Sequence, residues 1–107
     1  FYMQFITGRI TYIGEKEVIN KDNNQFSTII FAIKKKMNKK IRNIAFECYG
    51  KLADEIEHFR LDEKIEVEYL IHSNKSKSGR WYTTLHAKSI EKVLAIKKEN
   101  INQQKLI

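Results

Sequence analysis

The sequence predicts a mainly β protein, a five-stranded Greek-key barrel with one short helix between its third and fourth strands. Three observations lead there. Five segments rich in Ile, Phe, Thr and Tyr alternate apolar and polar residues, as half-buried strands do. A single segment, KLADEIEHF, changes to a helical period. The connectors are short and polar, and 107 residues with 42% hydrophobic content suit one core of ordinary density.

The first two strands are expected over Gln4 to Ile13 and Gln25 to Lys35, joined by EKEVINKDNN, which reads as a polar, turn-like connection. After the turn MNKK, the third runs from Lys40 to Tyr49 with the clearest facing: Arg42, Ile44, Phe46 and Cys48 on one side, Asn43, Ala45, Glu47 and Tyr49 on the other. Over Lys51 to Phe59, Leu52, Ile56 and Phe59 recur at helical spacing and form the stripe of a helix of about two turns. In the fourth strand Ile65, Val67, Tyr69 and Ile71 alternate with Glu66, Glu68, Leu70 and His72. The polar loop SNKSKS then leads to Gly79 and a fifth strand, where Trp81, Thr83, Leu85 and Ala87 oppose Arg80, Tyr82, Thr84, His86 and Lys88. Trp81 and Phe46 are assigned to the core, Tyr49 and Tyr82 to the outside.

This connectivity is that of an oligonucleotide-binding (OB) barrel. Closure also removes the sticky edges that a strand such as TIIFAI would expose. An open α+β sheet with the helix on one face is the alternative; an SH3-like barrel would not place a helix at this point. The domain is expected to span residues 3–93. Residues 94–107 are expected to be a helical or disordered tail, and Met3 is a candidate initiator.

Composition narrows the function. The longest uncharged apolar run, Thr28 to Ile33, is far below the ~20 residues of a membrane-spanning helix. With one cysteine and no recognisable secretory leader, a cytoplasmic protein is expected. The net charge of +7 is weak evidence alone, because sixteen Lys, sixteen Ile and eight Asn are what an AT-rich genome writes. Its distribution says more. Lys34 to Arg42 carries six positive side chains and no negative one, whereas Glu47 to Glu68 carries eight acids against three bases.

Motifs for catalysis are missing: there is no Walker-type glycine loop, CxxC, HExxH or GxSxG. His58, His72 and His86 lie far apart without a carboxylate or Cys at ligand spacing, so neither metal nor cofactor is expected. Asp54, Glu55 and Glu57 read as a solvated helix face, and Cys48 as a small core residue with no base beside it. The protein is not expected to be an enzyme or to take a small-molecule substrate.

A binding surface remains. OB barrels take single strands across their second and third strands, between the one-two and four-five loops. Affinity comes from cations along the phosphates and aromatic faces under the bases. Lys34, Lys35, Lys36, Lys39, Lys40 and Arg42 surround the two-three turn, and Lys75, Lys77 and Arg80 the four-five loop. In the one-two loop Lys16 and Lys21 are offset by Glu15, Glu17 and Asp22. Tyr49, Tyr82 and Phe26 are the stacking candidates, and His86 and Lys88 share the face of Tyr82. The competing reading makes the lysine run a solvated hairpin tip and the aromatics core.

The segments FECYG (Phe46 to Gly50) and GRWYTTLHAKSIEKV (Gly79 to Val93) resemble the third and fifth strands of a family of small bacterial OB-fold proteins of unknown function. That family typically shows F-E-V-W-G-like and G-R-W-Y-T-like motifs and is similar to single-stranded DNA-binding proteins. Gly50, Gly79, Arg80, Trp81, Tyr82 and Thr83 match; Tyr49 replaces a Trp, and Leu85 and His86 depart from a more basic strand. The resemblance implies the barrel and single-stranded nucleic acid, DNA or RNA, as ligand. The ending NINQQKLI lacks the acidic tip of housekeeping single-strand binders, so an accessory role in replication, repair or recombination is expected. Self-association into a homodimer would lengthen the short groove of one barrel. A protein-interaction module using the barrel surface is the alternative function.

Overall fold

The computed structural model describes residues 3–93, so the expected tail lies outside the described residues. In chain order the elements are β1 (Gln4–Ile13), β2 (Glu17–Lys21), β3 (Asn24–Met37), β4 (Lys40–Tyr49), α1 (Lys51–Ile56), β5 (Lys64–Lys75) and β6 (Trp81–Lys92). The sheet order is β1-β5-β6-β4-β3-β2, and an added β1–β3 pairing closes β1, β5, β6, β4 and β3 into a five-stranded barrel. Neighbours are antiparallel except β4 and β6, which run parallel and meet at a single register pair, Glu47↔His86.

Strand parity explains the core. In β3 and β4 the cross-strand pairs Ile29↔Cys48, Phe31↔Phe46 and Ile33↔Ile44 point inward, and Phe31 and Phe46 stack at 5.3 Å. Ile10, Ile65 and Val67 complete the fully buried residues of the strands, with Ala87 nearly so. Helix α1 places Ala53 and Ile56 against this core, and both are wholly buried. Burying a side chain such as Ile56 contributes about 1.5–3 kcal/mol. Gly8 has a packing reason in β1: a Cβ there would lie 2.6 Å from the Lys34 carbonyl oxygen, so only glycine lets β1 and β3 approach.

Four expectations need correction. The stretch read as a polar connection contains a sixth strand, β2, whose register with β3 runs from Glu17↔Thr28 to Lys21↔Asn24. Its turn residues Asp22 and Asn23 have φ of 50° and 64°, the two positive values of a tight two-residue hairpin, and Asp and Asn tolerate that region. The strand before MNKK runs on to Met37, because Asn38 and Lys39 (φ 49° and 67°) make the same kind of turn. The helix stops at Ile56, three residues early, although Leu52 and Phe59 still pack on the core.

The fourth correction concerns depth. Trp81, assigned to the core, is 68% exposed, and Ile71, on the inward side of its strand, is 54% exposed. Their parity is as expected, since Trp81 shares its side with buried Ala87. However, β5 and β6 continue as a hairpin arm beyond the barrel rim, where the inward side has nothing to pack on. Trp81 lies six residues from Ala87, about 20 Å along an extended strand.

Candidate nucleic-acid interface

Pairing places one set of side chains on the outer face of the barrel. On β3 and β4 these are Thr28 beside Tyr49, Ile30 beside Glu47, Ala32 beside Ala45, Lys34 beside Asn43 and Lys36 beside Ile41. On β5 and β6 they are Leu70 beside His86, His72 beside Thr84 and Asn74 beside Tyr82. Lys88 is the extra residue of a bulge, between Ser89↔Glu68 and Ala87↔Tyr69.

An aromatic row crosses these strands. The Phe26 and Tyr49 rings meet edge to face at 6.0 Å, Tyr49 stacks on His86 at 5.7 Å, and His86 meets His72 at 5.7 Å. Phe26 is half-buried and Tyr49 is 42% exposed. The Tyr49 hydroxyl donates to Glu47 Oε2 at 2.8 Å. Partial burial and the neighbouring Glu47 carboxylate raise the Tyr49 phenol above its ordinary value, so it stays protonated and donating.

Three hollows meet around this row. The largest, about 550 Å³, is lined by Tyr12, Glu15, Glu17, Ile30, Glu47 and Tyr49 among others. A second, about 380 Å³, lies between Tyr49, Leu70, His72, His86 and Lys88. The third, about 430 Å³, is the cleft where β4 and β6 part, between Asn43–Glu47 and Thr83–Leu85. Tyr49 lines the first and second, Glu47 the first and third, so the pair sits where one surface track bends.

Two basic arms leave the barrel at the same end. Because β4 and β6 are parallel through Glu47↔His86, counting back along both puts Arg80 level with Ile41 and Tyr82 level with Asn43. The β3–β4 arm carries Lys34 to Arg42, but register divides it: Lys34 and Lys36 share the side of Tyr49, whereas Lys35, Lys40 and Arg42 take the opposite side and Lys39 the turn. Lys34 Nζ also stands 3.7 Å from Asp62, an exposed and therefore weak pair. On the β5–β6 arm, Tyr82 is 54% exposed on the Tyr49 side. Lys75 pairs with Trp81 on the other side, its ammonium 5.8 Å from the indole. Lys77 and Arg80 lie in the tip, where the Arg80 backbone N–H donates to Ser76 Oγ at 3.2 Å.

The structure thus brings Lys34, Lys36, Tyr49, Tyr82, His86 and Lys88 to one face and separates Lys35, Lys40, Arg42 and Lys75 from it. Sequence reasoning missed Tyr12, Ile30 and His72 on the same surface, and the exposure of Trp81. Tyr12 follows a shift in the β1–β3 register, for which the sequence carries no signal. Among the described residues no group of three His, Cys, Asp or Glu side chains is placed to hold a metal, and no helix is long and apolar enough to cross a membrane. Burial pushes the Cys48 thiol up to about 12.

A closed five-stranded barrel with one helix between its third and fourth barrel strands decides the architecture. This is an OB fold. No protein-family profile matches the chain, and no curated protein does. Solved structures do match it. The wild-type single-stranded DNA binding protein from Thermus aquaticus superposes with a TM-score of 0.62 at 12% identity over 86% of this chain, which spans only 40% of that longer protein. The SSB domain of a Synechococcus sp. protein gives 0.59 at 12% identity, covering 83% of this chain and 92% of the other. A mitochondrial single-stranded DNA binding protein from S. cerevisiae gives 0.56 at 17% identity, covering 87% and 95%. At these identities the likeness is one of OB barrels.

Proposed function

We propose that this protein binds single-stranded nucleic acid, DNA in preference to RNA, without catalysis and with low sequence specificity. The observation that carries the reading is the unbroken row Phe26–Tyr49–His86–His72 on the outer face, at the base of two basic arms that project from the same end. Bases stack on such a row at ~1–3 kcal/mol each, and cations on the arms neutralise phosphates. The DNA-binding names of the similar OB barrels support DNA as ligand. Duplex DNA offers no unstacked bases to the row, so single strands are preferred.

Within this reading Lys34, Lys36, Lys88 and the arm-tip residues Lys39, Lys77 and Arg80 hold the backbone, while Tyr49, Tyr82 and His86 receive bases. Lys35, Lys40, Arg42 and Lys75 contribute long-range attraction from the far sides of the arms. A cytoplasmic homodimer in an accessory replication, repair or recombination role fits a barrel with so short a track.

Titrating a labelled oligo-dT by fluorescence anisotropy at two ionic strengths tests this. The logarithm of affinity should fall with that of salt by about 0.7 per neutralised phosphate. Absence of binding at low salt, or binding indifferent to salt, refutes it. Tyr82→Ala separates it from a protein-docking role, because stacking on nucleic acid loses more than a peripheral protein contact.

A further inference from the structure

The largest hollow on the outer face has the wrong charge for a phosphate site. Glu15, Glu17 and Glu47 all line it. Lys16, in the connection between β1 and β2, is turned away: its ammonium lies 3.2 Å from Asp54 and 3.3 Å from Glu57, tying that connection to α1. A single strand on this face would therefore keep its phosphates outside this hollow, toward Lys88 in the neighbouring one and toward Lys34 and Lys36 farther along β3, and turn its bases toward Tyr12, Ile30 and Tyr49.

The polar group those bases meet is Glu47. It stands on β4 between two hollows, half-buried, and the Tyr49 hydroxyl holds its Oε2 at 2.8 Å. Its second oxygen has no hydrogen-bond partner among the described residues. An ionised carboxylate only accepts hydrogen bonds. Cytosine, adenine and guanine each offer an exocyclic amino donor. Uracil and thymine offer one N3–H flanked by two carbonyl oxygens, which a carboxylate repels.

We propose that Glu47 biases this surface toward bases bearing an exocyclic amino group and against uracil and thymine. The inference rests on the single-strand reading above, and goes beyond it by naming the group that discriminates and the base edge it reads. Glu47 is fixed by a strand and by a phenol, so its carboxylate is oriented before a base arrives.

The test compares oligo-dC with oligo-dU of equal length by competition at neutral pH. The two differ only at the 4-position and at N3, so stacking and backbone charge are matched. Oligo-dC should bind about three- to tenfold tighter, the effect of one partly exposed hydrogen bond per occupied site. The ratio should not change with salt, because the base is neutral. In Glu47→Gln the amide donates as well as accepts, so the ratio should fall to about one while the salt slope is kept. Tyr49→Phe provides a second variant, to be used if Glu47→Gln lowers the melting temperature; it keeps the stacking ring but removes the phenol that orients Glu47, so the ratio should fall toward one without reversing while the salt slope is kept. A wild-type ratio near one, or tighter binding of oligo-dU, overturns this inference and leaves single-strand binding standing. A ratio that survives unchanged in Glu47→Gln or in Tyr49→Phe removes Glu47, as held by the phenol, from the role. Failure to bind either oligonucleotide overturns the single-strand reading itself.

Discussion

The division of the lysine run by strand parity can be tested with two double variants of equal charge. Lys34→Gln with Lys36→Gln removes two cations from the Tyr49 side of the β3–β4 arm, and Lys35→Gln with Lys40→Gln removes two from the opposite side. Each lowers the formal net charge from +7 by two, so any difference between them comes from position. If Lys34 and Lys36 each neutralise one phosphate, the salt slope should fall by about 1.4. Taking the counterion contribution to vanish near 1 M salt, affinity should drop about 25-fold at 0.1 M and about threefold at 0.5 M. These are upper values, because Asp62, 3.7 Å from Lys34, already attracts part of its charge. The opposite-side pair should change affinity by less than about threefold at 0.1 M, through long-range potential alone. Anisotropy titrations of one oligonucleotide at both salts read all four numbers. Equal losses in the two variants would show that total charge and not the face governs binding. A loss in the Lys34 and Lys36 variant that is the same at both salts would mean that no phosphate is released, and would refute the assignment.

Three further outcomes follow from the barrel. Gly50, at φ 64° and ψ −131°, lies where a side chain is strained, and a Cβ there would meet nothing within 4 Å. Gly50→Ala should therefore cost about 1–3 kcal/mol from backbone strain alone, read by urea unfolding; a change below about 0.3 kcal/mol would show that the turn relaxes freely. Cys48 is buried with its thiol raised to about 12, so alkylation near pH 8 should require denaturant, and rapid labelling of the native protein would mean that the helix end of the barrel opens. Glu63 accepts the Arg60 backbone N–H at 2.9 Å and pairs with Lys92 at 3.0 Å, which holds its carboxyl below the ordinary value. A lowered carboxyl contributes stability above its unfolded value that is lost as pH falls through the folded one. Below about pH 4.5 the wild type should thus converge on Glu63→Gln in melting temperature, from an advantage worth less than about 1 kcal/mol at neutral pH; parallel pH profiles would refute the linkage.

Most of the barrel was legible because its strands alternate cleanly. Ile44, Phe46 and Cys48 against Ala45, Glu47 and Tyr49 needs only period two, and the buried and exposed sides match it. What period two cannot tell is where a strand leaves the core. Trp81 and Ala87 share a side, yet one is 68% exposed and the other 6%, because the barrel rim falls between them. β2 was hidden for a different reason: three of the five residues of EVINK are charged or polar, and a strand that pairs only with β3 need bury little. The signal that reveals it is the Asp22-Asn23 pair, which favours a two-residue hairpin, with Val18 and Ile19 before it and Phe26 after. In the sequence alone the lysine run reads as a hairpin tip, where sides have no meaning. Once β3 extends to Met37, the same parity that sorts Ile30 from Phe31 sorts Lys36 from Lys35.

Under the proposed single-strand reading, that sorting changes what the positive charge is for. On the outer face Glu15, Glu17 and Glu47 line the hollow beside Tyr49, while the cations stand outside it, Lys88 in the neighbouring hollow and Lys34 and Lys36 farther along β3. A basic floor would attract phosphates into the hollow and leave bases facing water, where nothing distinguishes one from another. Under the proposed single-strand reading, an acidic hollow with cations outside it favours the opposite orientation, and bases turned inward would meet the aromatic row. On this proposal, affinity and base preference are assigned to different residues of one surface. The edge residues can vary in number without altering which base is favoured, while Glu47 can be altered without changing how binding responds to salt.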